Sequence, residues 1–216
     1  MGETMGHMQA VHSKEPIRLF KSDFLEFFTH IHPLVVLAIW LPVAAFFMVS
    51  SVMGRVRGMS PAYIPGAFVL GLFTWTLAEY VVHRFVFHFH PRTPWQERVS
   101  FLFHGVHHAQ PWSRTRLVMP PAVSIPLALF FYGAFRLGVG LALGAPHWVG
   151  PLFSGFVAGY LTYDMLHYSM HHFRMQSGVL HSLRRYHMQH HGVAPIRRFG
   201  VTSPLWDIVF GTKPAK

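Results

Sequence analysis

Residues 34–53, LVVLAIWLPVAAFFMVSSVM, are twenty consecutive residues without a charged side chain. At about 1.5 Å per residue, a helix over this stretch spans about 30 Å, the thickness of one hydrocarbon core. The stretch begins too far into the chain, and is too long, for a cleaved signal peptide. It therefore predicts a retained transmembrane helix.

Two further apolar regions follow. Residues 64–82, IPGAFVLGLFTWTLAEYVV, carry one acid, Glu79, near their end. Residues 117–163 contain Arg136 as their only charge, and at helical rise they span about 70 Å, which suits two passes with a turn in the Gly- and Pro-rich residues 138–146. The prediction is an all-α integral membrane protein with four transmembrane helices at about 34–53, 64–82, 118–138 and 146–166.

The charge distribution predicts the orientation. The formal net charge is +10, with 18 basic residues, and four passes would put fifteen of them on one side. By the positive-inside rule that side is cytoplasmic. In so apolar a chain, a basic balance points to an anionic membrane surface before nucleic acid, and no nucleic-acid partner is expected. Residues 17–31 show apolar side chains at helical spacing and predict an amphipathic helix lying on the membrane, within an N-terminal region of residues 1–33.

The composition narrows the chemistry. A hydrophobic content of 51% and a charged content of 12% exclude a disordered chain. The absence of cysteine excludes a disulfide framework, a cysteine-based zinc site, an iron–sulfur centre and a thiol nucleophile.

The 18 histidines are the chemical signal. Thirteen lie in residues 83–108 and 167–191, which the topology places on one face of the membrane. Residues i and i+4 project from one face of a helix, so an HxxHH group can give ligands to each of two adjacent metals. Ten histidines suffice for two metals with about five ligands each. They form an HxxxxH, an HxxHH, an HxxxH and a second HxxHH group: His83, His88, His104, His107, His108, His167, His171, His187, His190 and His191.

The remaining eight histidines break this spacing and are interpreted as bystanders. The chain has no HExxH sequence, which excludes a zinc-protease site, and no Glu three residues before a His, which excludes a carboxylate-bridged di-iron site. An all-histidine dinuclear site beside the membrane remains. The bystanders are His7, His12, His30, His32, His90, His147, His172 and His181.

These motifs, with EYVVHRFVFH, FHGVHHAQP, RLVMPP, LTYDMLHYSMHH and FGVTSPLWDIVFGT, resemble the fatty acid hydroxylase superfamily, and within it the fatty acid 2-hydroxylases. The resemblance covers about residues 20–212. It implies a hydroxylase domain over residues 34–216, with a cytosolic helical cap from residues 83–117 and 167–216 that holds the dimetal site. It also implies that the ten histidines are the ligands, and that Tyr160, Tyr163 and Asp164 shape or orient the substrate.

The resemblance implies an O2-dependent lipid hydroxylase acting at carbon 2 of a ceramide, sphingolipid or free fatty acyl chain within the bilayer. We expect two irons in the active enzyme, with zinc possible as isolated, because imidazole accepts both. The chain lacks the HPGG haem-binding motif common in eukaryotic members, so a separate electron-transfer protein is expected. A bacterial inner membrane is favoured over the endoplasmic reticulum.

Some alternatives stay open. The same histidine pattern serves desaturases, sterol oxidases and carotenoid hydroxylases, and a metal transporter would need more polar residues along its spans. Glu79, four residues before His83, is expected to accept a hydrogen bond from a ligand histidine or to pair with Arg84. Asp164, an acid in a span, is expected to contact a ligand or the substrate, because an unpaired acid there is costly.

Overall fold

The computed structural model describes residues 16–192 and 195–214. The described residues form helices and loops without a strand. The helices are α1 (Asp23–Phe27), α2 (Pro33–Met53), α3 (Tyr63–Val81), α4 (Pro94–Ser100), α5 (Val106–Ala109), α6 (Pro121–Phe135), α7 (Pro146–His172), α8 (Gly178–Gly192) and α9 (Leu205–Val209). Three π-helical segments extend these helices: Val82–Phe87 after α3, Phe101–Gly105 between α4 and α5, and Arg136–Ala142 after α6.

Proline sets where the long helices begin. Pro33, Pro121 and Pro146 each occupy the first turn of α2, α6 or α7, where no N–H is needed. The predicted third span therefore begins three residues late, at Pro121, and it runs on to Ala142 through the π-helical segment. Gly144, with φ of 62°, provides the left-handed turn between α6 and α7.

Within residues 16–192 and 195–214, three helical stretches are long and apolar enough to cross a membrane: Pro33–Met53, Tyr63–Phe87 and Pro121–Ala142. The predicted fourth span lies within α7, whose side chains are mostly buried against α2 and α3. Because most side chains of α7 face protein, this helix can hold buried polar residues such as Ser154 and Asp164. The fourth span remains a prediction.

Glycines bring α3 and α7 together. A Cβ on Gly155 would lie 2.0 Å from the carbonyl oxygen of Phe68, and one on Gly71 would lie 2.1 Å from that of Leu152. Such close backbone approach is available only to residues without a side chain. The contact fixes the depth of α7, and hence of the histidines at its end, against α3.

The predicted amphipathic helix over residues 17–31 is wrong in extent, since only Asp23–Phe27 is helical. Tertiary hydrogen bonds take up the backbone on either side. The N–H of Ile17 donates to Oε1 of Gln110, and the N–H of Ile31 donates to the carbonyl of Thr115. We call residues 17–31 the N-terminal strap.

Candidate metal centre

The structure brings all ten histidines singled out by spacing into two adjacent groups of five. Within each group, one ring nitrogen per residue lies within 4.8 Å of all the others. The two groups touch, since the rings of His108 and His191 stack with centroids 4.3 Å apart. The first group is His83, His88, His104, His108 and His190, and the second is His107, His167, His171, His187 and His191.

A π-helical segment explains the five-residue spacing of the first pair. His83 and His88 lie at the start and just after the end of Val82–Phe87, and the N–H of His88 donates to the carbonyl of His83 at 3.1 Å. An i-to-i+5 hydrogen bond is the π-helical pattern, and it widens the turn by one residue. The two rings therefore meet, with centroids 5.0 Å apart.

The HxxHH groups divide between the two clusters as their spacing predicts. His104 and His108, four apart on the segment that leads into α5, join the first group, and His107 joins the second. On α8 the arrangement is reversed, because the pair four residues apart joins the second group and His190 joins the first. Nε2 atoms face each other at 3.1 Å between His88 and His190, and at 3.0 Å between His107 and His191.

Burial lowers the pKa of the centre's imidazoles that lie outside the membrane-spanning helices. For the members outside the spans, burial first and neighbouring imidazoles second hold the pKa well below the ordinary value of 6.5, as at His104, His107 and His187. A neutral imidazole offers a nitrogen lone pair to a metal. Ten converging imidazoles suit Fe, Zn, Cu or Ni, so the donor set fits a pair of transition metals.

Two backbone carbonyls orient rings of the first group. Nδ1–H of His83 donates to the carbonyl of Phe199 at 2.6 Å, and Nδ1–H of His190 donates to that of Arg197 at 2.7 Å. A carbonyl can only accept, so the hydrogen lies on Nδ1 and the lone pair of Nε2 points into the group.

The described bystander histidines lie outside both groups. His30 contacts Thr115 and Arg116, and His32 accepts from the N–H of Leu34 at the start of α2. His181 lies beside the carbonyl of Met175. Among the others, His147 packs on Tyr63, His172 packs on Tyr168, and His90 is exposed. His7 and His12 lie outside the described residues.

The expected contacts of Glu79 are wrong. Its carboxylate accepts from the N–H groups of Val201 and Thr202 and from the hydroxyl of Thr202, so it touches no ligand histidine directly. Arg84 donates instead to the hydroxyl of Tyr80. The loop that carries Phe199 lies between Glu79 and the ring of His83, which sequence separation alone could not show.

The three substrate candidates have different surroundings. Tyr163 lines a cavity beside the centre, and its ring lies 5.6 Å from that of His167. The carboxylate of Asp164 accepts from the N–H of Met119 at 3.3 Å. Tyr160 packs against Trp40 and Trp75. Asp164 and Tyr160 therefore support the cavity wall from behind.

The cavity, of about 300 Å3, opens against both groups. His104, His107 and His167 form its inner end, and apolar residues between positions 87 and 120 and on α6 form its sides. The strap closes the outer side with Leu19, Phe20, Leu25, Phe28 and Thr29. A volume of this size is at the lower end of the range for small-molecule sites.

The strap is held over the cavity by an ion pair whose arginine is buried and whose glutamate is half-buried. Arg116, only 7% exposed, donates to the carboxylate of Glu26 and to the carbonyl of Ile17. The same carboxylate accepts from the N–H groups of Leu19 and Phe20 at 2.9 and 2.8 Å. No local pattern in the sequence predicts this contact, and its only signal there is one acid among apolar residues.

Comparisons with known proteins agree with the site. The profile of the fatty acid hydroxylase family matches residues 68–212. A dihydroceramide fatty acyl 2-hydroxylase of Arabidopsis thaliana is 40% identical over 206 residues, covering 95% of this chain and 84% of that protein. Human fatty acid 2-hydroxylase is 34% identical over 215 residues, and this chain spans 56% of its length.

A solved structure of full-length scs7p, in which only the hydroxylase domain is visible, superposes with a TM-score of 0.79 at 36% identity. That match covers 89% of this chain and 70% of the other. The chain belongs to the fatty acid hydroxylase family. It is therefore an enzyme, an oxidoreductase that acts on lipids, as the sequence predicted.

Proposed function

We propose that this chain is a membrane-bound dimetal oxygenase that hydroxylates a fatty acyl chain at carbon 2. One observation carries the proposal: two groups of five histidines meet at the inner end of an apolar cavity beside membrane-spanning helices. The Arabidopsis relative, whose name gives a dihydroceramide fatty acyl substrate, supports a ceramide or related sphingolipid over other lipids.

The ten histidines would hold two metals, which we propose are iron in the working enzyme and zinc in some isolated samples. When bound, iron supplies the activation of O2 and of an unreactive C–H bond that no amino-acid side chain provides. His104, His107 and His167 present this centre to the cavity. The protein's own contribution is to bind the acyl chain, orient it and keep water away.

The cavity walls suit an acyl chain. Phe87, Leu102, Val106 and Leu117 are among the apolar residues between the centre and the strap. Burying methylene groups against such walls stabilises binding by about 0.8 kcal/mol each. Tyr163 is placed to contact the chain near the metals, while Asp164 and Tyr160 keep residues 117–120 in position.

For topology, we propose four spans, with α7 as the fourth, and a cap from residues 83–117 and 167–216 on the cytoplasmic face. Residues 1–33 would form a separate N-terminal region before the hydroxylase domain of residues 34–216. The cap would carry most of the chain's 18 basic residues. Such a face suits docking of a separate, acidic electron donor. A bacterial inner membrane is our proposed location.

Three measurements test the function. Acyl lipids of cells with and without the gene should differ in 2-hydroxy species, and a change in double bonds instead would overturn hydroxylation. Purified protein should hold about two metals per chain, with ten imidazoles available to them. His107→Ala and His190→Ala should each abolish turnover, whereas His181→Ala, outside both groups, should not. Full turnover of either ligand variant would contradict the metal assignment.

A further inference from the structure

The first histidine group is held from behind by a C-terminal loop that the catalytic proposal does not use. Residues 197–202 run past His83 and His190 and provide the carbonyls of Phe199 and Arg197 to their Nδ1 atoms. We call these six residues the carbonyl loop. Its backbone is unusual, because Arg198 has a φ of 64°, a left-handed conformation that non-glycine residues rarely adopt.

Glu79 fixes the far half of the carbonyl loop. It is 3% exposed on α3, one helical turn before His83. Its Oε1 accepts from the N–H of Thr202 at 2.9 Å and also from that of Val201, while its Oε2 accepts from the Thr202 hydroxyl at 2.6 Å. An acid at this depth is costly unless its hydrogen bonds are satisfied, and here three donors satisfy it.

Asp207 fixes the near half from the other side. It is fully buried on α9, and its two oxygens accept from the N–H groups of Phe199 and Gly200 at 2.9 and 2.8 Å. The hydroxyl of Thr212 donates to the same carboxylate at 2.6 Å. Gly200 allows the tight turn, since a Cβ there would lie 2.0 Å from the carbonyl oxygen of Ser203.

The second group has no such support. Nδ1 of His107, His171, His187 and His191 is buried and has no hydrogen-bond partner among the described residues. The outward nitrogens of the two groups therefore differ, although both groups contain five imidazoles. Acceptors behind metal-bound histidines typically change metal affinity by 10–100-fold.

We propose that Glu79 and Asp207 are positioning residues for the metal of the first group. They hold the carbonyl loop so that Phe199 and Arg197 orient His83 and His190. The inference rests on the proposed function, because it assumes that the two groups bind metals. The two sites are then unequal in their support, because Glu79 in a membrane helix and Asp207 on α9 position only the first.

Zinc binding tests this without any turnover. The purified full chain, stripped of metal, is titrated with Zn2+ against a competing chelator. Wild type should take up two zinc ions. Glu79→Ala should weaken one of them by about 10–100-fold and leave the other unchanged. Glu97→Ala, which removes an exposed acid from α4, is the matched control and should change neither.

Conservative variants separate positioning from general structure. Glu79→Gln should bind zinc normally, because its amide oxygen can accept both N–H groups and its NH2 can donate to the Thr202 hydroxyl. Asp207→Asn should weaken the same zinc as Glu79→Ala, since both Asp207 oxygens accept from backbone N–H groups and an NH2 cannot. Thr202→Val removes one of the three donors and should weaken the same zinc by less than Glu79→Ala does. It is the variant to use if Glu79→Ala does not fold.

A double variant identifies the site. His83→Ala should lower the affinity for one zinc ion, and adding Glu79→Ala should not lower that affinity further. In contrast, His171→Ala and Glu79→Ala should each lower the affinity for a different zinc ion. Unchanged binding in Glu79→Ala and Asp207→Asn, or equal weakening of both ions, would overturn the positioning role. If wild type itself bound no zinc, iron or other metal, the proposed function would fail instead.

Discussion

Removing the carboxylate of Glu26 should release the N-terminal strap from the cavity. In Glu26→Ala, Arg116 keeps its charge in a site where its side chain is 2% exposed, but loses its acid. The N–H groups of Leu19 and Phe20 lose their acceptor at the same time. Three hydrogen bonds to one charged group therefore disappear together.

The size of the effect follows from these contacts. Hydrogen bonds to charged groups contribute about 1.5–3 kcal/mol each, and breaking one side of a buried ion pair costs about 3–5 kcal/mol. These values overlap, because both count Arg116, so we take about 3 kcal/mol as the loss in strap attachment. That corresponds to roughly a 150-fold higher population of detached strap.

Hydrogen exchange measures this directly. The amides of Leu19 and Phe20 should exchange roughly 100-fold faster in Glu26→Ala, while those of α7 should not change. Asp23→Ala is the matched control, because its exposed carboxylate pairs only with Arg18 on the surface, and it should leave both amides slow. Equal protection of Leu19 and Phe20 in wild type and Glu26→Ala would show that Glu26 does not hold the strap.

The same contact should respond to acid. Burial raises the pKa of Glu26, but the N–H groups of Phe20 and Leu19 and the charge of Arg116 outweigh it, so the pKa lies below 4.5. Because its pKa is lowered, Glu26 stabilises the attached strap fully above about pH 4.5. That stabilisation is lost as the pH falls through the pKa of Glu26 in the folded protein. Protection relative to Glu26→Ala should therefore be constant near neutral pH and decline only below pH 4.5.

Two further predictions concern helix packing and topology. Gly155→Ala should lower the stability by about 1–3 kcal/mol, seen as a lower Tm, because the new methyl meets the carbonyl of Phe68; Gly66→Ala, with open space at its Cβ, should not. A comparable Tm for both would contradict the close approach of α3 and α7. Side-specific labelling of single cysteines at Arg92 and Lys213 should find both on the cytoplasmic side, and labelling from opposite sides would exclude one shared centre.

Local sequence pattern predicted much of this protein's architecture. Apolar runs of about twenty residues predict membrane helices, because a backbone in lipid must satisfy its hydrogen bonds internally. Within the described residues, three of the four expected spans have a helix long and apolar enough to cross a membrane. Histidines four apart lie on one helix face whatever the rest of the chain does. The spacing of each HxxHH motif therefore predicted that its histidines divide between two groups. The pair His83 and His88, which are five residues apart, needs a π-helical turn in order to meet.

Local sequence pattern did not predict contacts between distant parts of the chain. Arg116 and Glu26 are 90 residues apart, and Val201 and Glu79 are 122 apart. No local period records such pairs, so residues 17–31 read as a membrane-surface helix and Glu79 as a partner of a histidine. Spacing determined which imidazoles could converge, because helix geometry is local. Only tertiary packing decided what closes the cavity and which imidazoles a backbone carbonyl holds in place.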